Sequence, residues 1–156
     1  MHHLDDIDAK VLESLQAQGR ISWAELGEVL GLSPPAAAER VRKLEARGLI
    51  RGYAALLDGF ALGFTLTAFV SISLERPEHR QPFLKLIDKM SEVQECHHAA
   101  GDYDYLLKVR CRDVRDLEQF ITERLKGLKG IVQTRTAIIL STYKETTALP
   151  IDLDPR

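Results

Sequence analysis

The sequence predicts an α+β protein with two domains, a helical one followed by a mixed one. Apolar residues recur at helical spacing through residues 1–50, and from about Phe64 segments rich in β-branched and aromatic residues alternate with helical ones. The chain has 156 residues, of which 45% are hydrophobic and 28% charged, so it holds enough apolar material for two small cores.

The composition argues against a secreted, membrane-spanning or disulfide-rich protein. The N-terminus has no signal-peptide pattern, and no apolar run approaches the length of a membrane span. The two cysteines, Cys96 and Cys111, do not make a disulfide framework. We therefore expect a reduced, cytoplasmic protein without a membrane partner. The net charge of -2 argues neither for nor against nucleic acid, because a local patch can differ from the total.

Two capped helices open the chain. Asp5 precedes a first helix whose apolar residues, such as Ile7 and Val11, recur at helical spacing. The second helix follows Ser22, with Glu25 three residues later, which is the spacing of a capping box. Both starts are therefore predicted from short local patterns.

A third helix follows after a tight turn. Gly31 permits the turn, Ser33 is a good N-cap, and Pro34 suits the first helical position. Val41 and Leu44 belong to the apolar stripe that faces the other two helices. A short helix, a turn with glycine and a longer helix make the helix-turn-helix pattern.

The second half predicts the order βαββαβ, which is the ferredoxin-like split βαβ arrangement. The domains expected are a helix-turn-helix domain at 1–52, a wing or linker strand at 53–63 and a ferredoxin-like domain at 64–156. The predicted elements of the last domain are Phe64–Leu74, His79–Met90, Glu92–Ala100, Tyr105–Cys111, Asp113–Leu128 and Ile131–Tyr143.

Positive charge gathers on the third helix. Between residues 33 and 51, five cationic side chains accompany two glutamates, a local balance of 5 − 2 = +3. Ala36, Arg40, Lys43 and Arg47 are spaced by four, three and four residues, which places them on one stripe. Long cations suit phosphates, small residues at the helix start allow close approach to the groove, and an arginine such as Arg40 matches a guanine edge.

The alternative for this helix is a solvated face with surface ion pairs, Glu39–Lys43 and Arg42–Glu45, which contribute little. The capped helix and tight turn before it favour DNA instead. The candidate contacts to double-stranded DNA are Arg20, Ser22, Ser33, Pro35, Ala36, Arg40, Arg42, Lys43, Arg47 and Arg51.

A turn in the second domain is a candidate ligand site. A tight turn suits Gly101 with a positive φ, main-chain amides suit a carboxylate, and an aspartate suits an ammonium group. The alternative is a plain hairpin turn capped by aspartate, with tyrosine packed on the sheet. The candidate residues for a small effector such as an amino acid are Gly101, Asp102, Tyr103, Asp104, Thr134 and Thr136.

Nearly the whole chain resembles the Lrp/AsnC family of transcription regulators. The resemblance is carried by Leu4–Asp58, Leu62–Gly63, Ala99–Val109 and Thr134–Leu140 in this order. It implies a winged helix-turn-helix, a connecting strand and a ferredoxin-like regulatory (RAM) domain. That domain would form homodimers that assemble to tetramers or octamers. The resemblance also places an amino-acid effector near the turn, at an interface between dimers.

Other functions have less support in the sequence. Cys96, His97 and His98 suggest metal chemistry, but adjacent strand residues point to opposite faces, so we expect no metal site and no cofactor. Siroheme decarboxylases resemble the same two-domain plan. An enzyme of that kind would need His and Arg side chains to bind the substrate carboxylates, and the candidates are His97, His98, Arg110 and Arg112. We expect no enzyme, and a non-specific architectural DNA-binding protein is the third possibility.

Overall fold

The computed structural model describes residues 4–151, and these form two compact units. The first unit runs through Leu56 and also takes in the tail from Glu145, while the second runs from Leu57 to Lys144. The predicted linker at 53–63 is divided between the two units, and the tail, predicted in the second domain, groups with the helical unit. The first three and last five residues of the predicted domains lie outside the described part.

Three helices build the first unit. Each begins at the predicted capping residue, because a side-chain oxygen satisfies an amide that the helix cannot pair. Asp5 accepts from the amide of Asp8 at 2.7 Å, and Ser22 and Glu25 form the full capping box. The helices are α1 (Asp6–Ala17), α2 (Trp23–Leu30) and α3 (Pro34–Ala46).

The turn between α2 and α3 has the predicted geometry. Gly31 is left-handed, with φ 66°, a region that costs other residues about 1–2 kcal/mol. The amide of Leu32 donates to the carbonyl of Gly27 at 2.8 Å. Helix α3 therefore leaves α2 at a fixed angle, and its inner residues complete a core of Val11, Leu12, Leu26, Ala37, Val41 and Leu44.

The predicted wing is not formed in this chain. Residues 51–58 have no regular structure, and residues 59–63 form a turn rather than a strand. A strand needs a neighbour for its backbone groups, and no strand pairs with this segment in the described chain. Tyr53 instead donates a hydrogen bond from its hydroxyl to Glu45 of α3 at 3.0 Å. Burial and this carboxylate raise the pKa of Tyr53 to about 12.

The tail returns to the first unit and lies against α1. The Gln16 side chain donates to the carbonyl of Leu149 at 3.0 Å and accepts from its amide at 2.6 Å. Ile151 packs against the apolar core of this unit. A single side-chain amide thus pairs both backbone groups of Leu149, as a neighbouring strand would.

We expect Gln16→Ala to lower the free energy of unfolding of the first unit by about 1 kcal/mol, because two exposed hydrogen bonds are lost. Urea denaturation of the full chain measures the difference. Gln18→Ala is the matched control, since it truncates an exposed glutamine at the end of the same helix. Equal stability of the two variants would contradict the tail contact.

The second unit is a four-stranded antiparallel sheet in the order β2-β3-β1-β4. This is the strand order of the predicted split βαβ arrangement. The strands are β1 (Leu66–Leu74), β2 (Val93–His98), β3 (Tyr105–Cys111) and β4 (Ile131–Ile138). The helices are α4 (Arg80–Ile87) and α5 (Val114–Gln119), and α5 continues as a π-helical segment, Phe120–Leu125.

Strand alternation gives this sheet two unlike faces. On β1, Ala68, Val70 and Ile72 are fully buried and share a core with Phe83 of α4 and Phe120 after α5. The intervening residues of β1 are half-buried on the opposite face, which carries no helix of this unit. Among the described residues, no helix has the length and apolar character needed to cross a membrane.

Candidate nucleic-acid interface and effector turn

The start of α3 presents small residues, as predicted. The Ser33 hydroxyl accepts from the amide of Ala36 at 3.4 Å, so its side chain caps the helix. Pro35 is exposed and Ala36 is half-buried. This helix end has no long side chain that would hold it away from a groove.

Two cations of α3 point into solvent. Arg42 and Lys43 are both exposed, and Arg42 pairs with Glu39 at 3.2 Å. This pair differs from the predicted alternative, since Glu45 accepts from Tyr53 instead. The Arg42–Glu39 side chains are 69% and 53% exposed, so water screens the pair and it contributes little. Both cations are therefore available to an anionic partner.

Arg40 and Arg47, which share the predicted stripe with Lys43, point toward α1. Arg40 Nη1 lies 2.6 Å from Asp5 Oδ2 and 3.1 Å from Asp8 Oδ1. Arg47 Nη1 lies 3.2 Å from Asp8 Oδ2. The Asp8 side chain is only 8% exposed, so its two pairs are sheltered from water, whereas the Arg40–Asp5 pair is partly exposed.

The charges in this cluster stabilise one another. The pKa of Asp5 is lowered, first by the hydrogen bond from the Asp8 amide and then by Arg40, against the opposing effect of desolvation. The pKa of Arg40 is raised, chiefly by its hydrogen bond to Asp5. The guanidinium predicted to reach a guanine edge is thus already engaged within the first unit.

The remaining candidates lie around α3. Arg20 is exposed in the turn after α1, and Arg51 is exposed beyond α3. Ser22 donates from its hydroxyl to Glu25 at 2.7 Å, and the Ser22 amide lowers the pKa of that carboxylate. Ser22 is therefore committed to the cap of α2 while remaining exposed.

The turn after β2 is held by Asp104. Its carboxylate accepts from the amide of Leu74 at 2.7 Å, and its own amide donates to the carbonyl of Ile72 at 2.9 Å. The prediction of a positive φ at Gly101 is wrong, since the positive-φ glycines of this chain do not include it. Asp104 is thus a structural clamp, while Asp102 stays exposed.

A shallow concavity lies beside this turn on the open face of the sheet. It contains about 170 Å³ of empty space that is open to solvent. Ligand pockets usually bury most of the ligand's surface, and this shallow wall, open to solvent, does not do so alone. Its lining residues are Ser71, Ser73, Asp102, Tyr103, Gln133 and Arg135.

Strand register separates the two predicted threonines from the concavity. Thr134 pairs with Ile72 and Thr136 with Val70, both of which face the core. Arg135 pairs with Ser71 and lines the concavity. Alternation along the strand predicts that Arg135 faces away from Thr134 and Thr136. The sequence alone does not show which of these two sets faces the concavity.

The Cys96-His97-His98 run lies on an edge strand, with its side chains on both faces. His97 Nε2 lies 3.1 Å from a carboxylate oxygen of Glu95, whereas the His98 ring packs 5.1 Å from that of Tyr105. Within residues 4–151, no three histidine, cysteine or acidic side chains are grouped to hold a metal. The alternation also divides the histidines that a tetrapyrrole enzyme would need.

We expect Asp104→Ala to lower the free energy of unfolding of the second unit by about 1–3 kcal/mol, because the Leu74 amide loses its acceptor. Asp102→Ala is the matched control and should change stability by less than about 0.5 kcal/mol, since Asp102 is exposed. Thermal unfolding measures both variants. Equal stability of the two variants would show that the hydrogen bond from the Leu74 amide to Asp104 does not stabilise the second unit.

Two domain families match this chain. The profile of the AsnC-type helix-turn-helix domain matches residues 4–45, and that of the Lrp/AsnC ligand binding domain matches residues 67–149. The leucine-responsive regulatory proteins of Klebsiella pneumoniae and Escherichia coli K12 are each 43% identical over 150 residues. Each alignment covers 95% of this chain and 92% of the relative.

Solved structures agree in fold. A transcriptional regulator of Neisseria meningitidis in complex with L-methionine has a TM-score of 0.91 and 34% identity, over 94% of this chain and 96% of that one. Escherichia coli AsnC has a TM-score of 0.89 and 28% identity, over 96% and 100% of the chains. A Mycobacterium tuberculosis feast or famine regulatory protein, complexed with L-methionine, has a TM-score of 0.86 and 36% identity, over 94% and 98%.

Proposed function

Because the chain belongs to the Lrp/AsnC family of transcriptional regulators, we propose that its DNA interface is the outward face of α3. The protein is a helix-turn-helix transcription regulator. Arg42 and Lys43 bind phosphates, while Pro35 and Ala36 at the helix start allow close approach to base edges. The observation that carries this assignment is the exposure of these two cations on a capped helix after a glycine turn.

The DNA site follows from symmetry. A homodimer presents two copies of α3, so the half-sites form a pseudo-palindrome about one helical turn, or a multiple of it, apart. Further assembly to tetramers or octamers would extend the contact along the duplex. With DNA as its partner, the protein is proposed to act in the cytoplasm.

Selection from a pool of random DNA duplexes tests the proposal, followed by a gel shift on the enriched fragment and on the DNA upstream of the protein's own gene. We expect a pseudo-palindromic motif and binding that survives competitor DNA. Lys43→Gln should make the plot of log K against log salt less steep by about 1.8 per dimer, as one phosphate contact is lost in each half-site. Lys10→Gln is the control, since Lys10 is exposed on α1.

A pool without enrichment, together with binding only at low salt, would make the protein a non-specific architectural one. A change in the Soret band on titration with a tetrapyrrole would favour the enzyme alternative. Neither alternative has a specific structural feature in its favour among the described residues.

An amino acid is the proposed effector, bound in the concavity beside the 101–104 turn. Two solved relatives are complexes with L-methionine. In this chain the exposed Asp102 suits the ammonium group, and Arg135 suits the carboxylate. Since the shallow concavity leaves one side of a bound ligand in solvent, we expect a second subunit to supply the other wall.

Calorimetric titration with each amino acid tests the effector. One amino acid should bind, and Arg135→Gln should weaken it at least about tenfold, as a charge-assisted hydrogen bond is lost. Arg76→Gln is the control, since Arg76 is exposed outside the concavity. Equal loss in both variants, or heat from none of the amino acids, would overturn this assignment.

A further inference from the structure

Two arginines on α3 are turned toward the first helix, where a single carboxylate holds both. We propose that Asp8 is a positioning residue for DNA binding, which fixes the outward face of α3 through Arg40 and Arg47. The inference rests on the proposed docking of that face on DNA. Asp8 itself is buried and would touch no nucleotide.

The geometry restrains α3 in two directions. Asp8 Oδ1 lies 3.1 Å from Arg40 and Asp8 Oδ2 lies 3.2 Å from Arg47. The two arginines are seven positions apart, so their backbones lie about 10 Å, or nearly two turns, apart along the helix axis, and their long side chains converge on one carboxylate. A pair of contacts at this spacing opposes both sliding of α3 along its axis and rotation about it.

The rotation decides which cations face outward. At about 100° per residue, Arg42 lies about 200° round α3 from Arg40, and so almost opposite the side that faces α1. Lys43 lies about 60° from Arg40 on the flank. Arg42 is 69% exposed, against 34% for Arg40 and 31% for Arg47. Holding Arg40 inward therefore presents Arg42 to the solvent.

The charge balance gives the inward cations, Arg40 and Arg47, a different role from the outward cations of α3. Asp5 and Asp8 carry two negative charges against the two arginines, so the inward cluster is close to neutral. A neutralised guanidinium releases few counterions from DNA. The salt dependence of DNA binding should thus depend on Arg42 and Lys43, and the affinity at fixed salt on all four cations.

The test measures Kd across a range of KCl concentrations for the full chain on its selected DNA fragment. The active fraction of each variant is first determined by stoichiometric titration. Asp8→Asn should weaken binding by at least about tenfold, because α3 loses the anchor that orients it, with an unchanged salt slope. Arg40→Gln should do the same, and combining both changes should add little.

Asp6→Asn is the matched control, since Asp6 lies on the same first turn of α1 and is exposed. It removes the same charge without touching α3, and should leave the affinity unchanged or slightly raised. A purely structural role for Asp8 would lower the melting temperature and the active fraction, but not the affinity of the active molecules. If Asp8→Asn fails to fold, Arg40→Gln carries the same test.

The outcomes separate this inference from the proposed interface. Equal affinities of the Asp6→Asn and Asp8→Asn proteins, with Lys43→Gln still lowering the slope, would overturn the positioning role alone. A salt slope that falls in Arg40→Gln would overturn it as well, since Arg40 would then contact phosphate. An unchanged slope in Lys43→Gln would overturn the proposed interface instead.

Discussion

Leu44→Ala is expected to lower the free energy of unfolding of the first unit by about 2–5 kcal/mol. Leu44 is fully buried on α3 and belongs to a core of six buried residues. A small core cannot collapse around the cavity that truncation leaves, and domains of this size are stable by only about 5–15 kcal/mol. A large part of the molecules should therefore lose the DNA-binding fold.

Circular dichroism with urea measures this loss, and a gel shift reports the matching fall in DNA-competent protein. Val29→Ala is the control, because Val29 is 57% exposed on α2 and its truncation removes little buried surface. A change of less than about 1 kcal/mol in Leu44→Ala would mean that this core tolerates a cavity at α3, contrary to the burial.

Phe83→Ala is expected to cost the second unit about 3–5 kcal/mol. Phe83 is fully buried on α4, and its ring centroid lies 4.8 Å from that of Tyr105 on β3. The substitution removes both the packing against the sheet and this ring contact. The second unit should melt first in this variant, so the proposed effector response should be lost at a lower temperature than in the unsubstituted protein.

Differential scanning calorimetry separates the two transitions, and amino-acid titration at rising temperature follows the effector response. Val114→Ala provides the comparison, since Val114 is 62% exposed at the start of α5. A single transition that shifts as a whole in Phe83→Ala would show that the two units unfold together.

Features encoded by a few neighbouring residues could be predicted from the sequence. The caps at Asp5, Ser22 and Ser33 and the left-handed Gly31 depend on contacts within about four residues, so their patterns are complete in a short stretch. The strand order also follows from the alternation of elements. The predicted caps and the left-handed Gly31 were confirmed because each depends on residues that are close in sequence, and the predicted strand order was confirmed as well.

Features that depend on distant partners could not be predicted. Helical spacing places Arg40 and Lys43 on one stripe, yet Asp8, which lies 32 residues before Arg40, engages one of them and not the other. The predicted wing at 53–63 is not formed for a similar reason, because no strand of the described residues pairs with this segment. The face of the sheet on which Thr134 lies is set by its pairing with Ile72, and this register depends on how all the strands pair.

The return of the tail to α1 bears on how this regulator can be recombined with its relatives. The helical unit is assembled from two segments that are far apart in the sequence, since Gln16 pairs with Leu149 and Ile151 packs against the helical core. A hybrid that exchanges residues 1–56 alone would set a foreign α1 against the native C-terminal segment. Swapping residues 1–56 together with 145–156 keeps the two halves of that contact from the same parent.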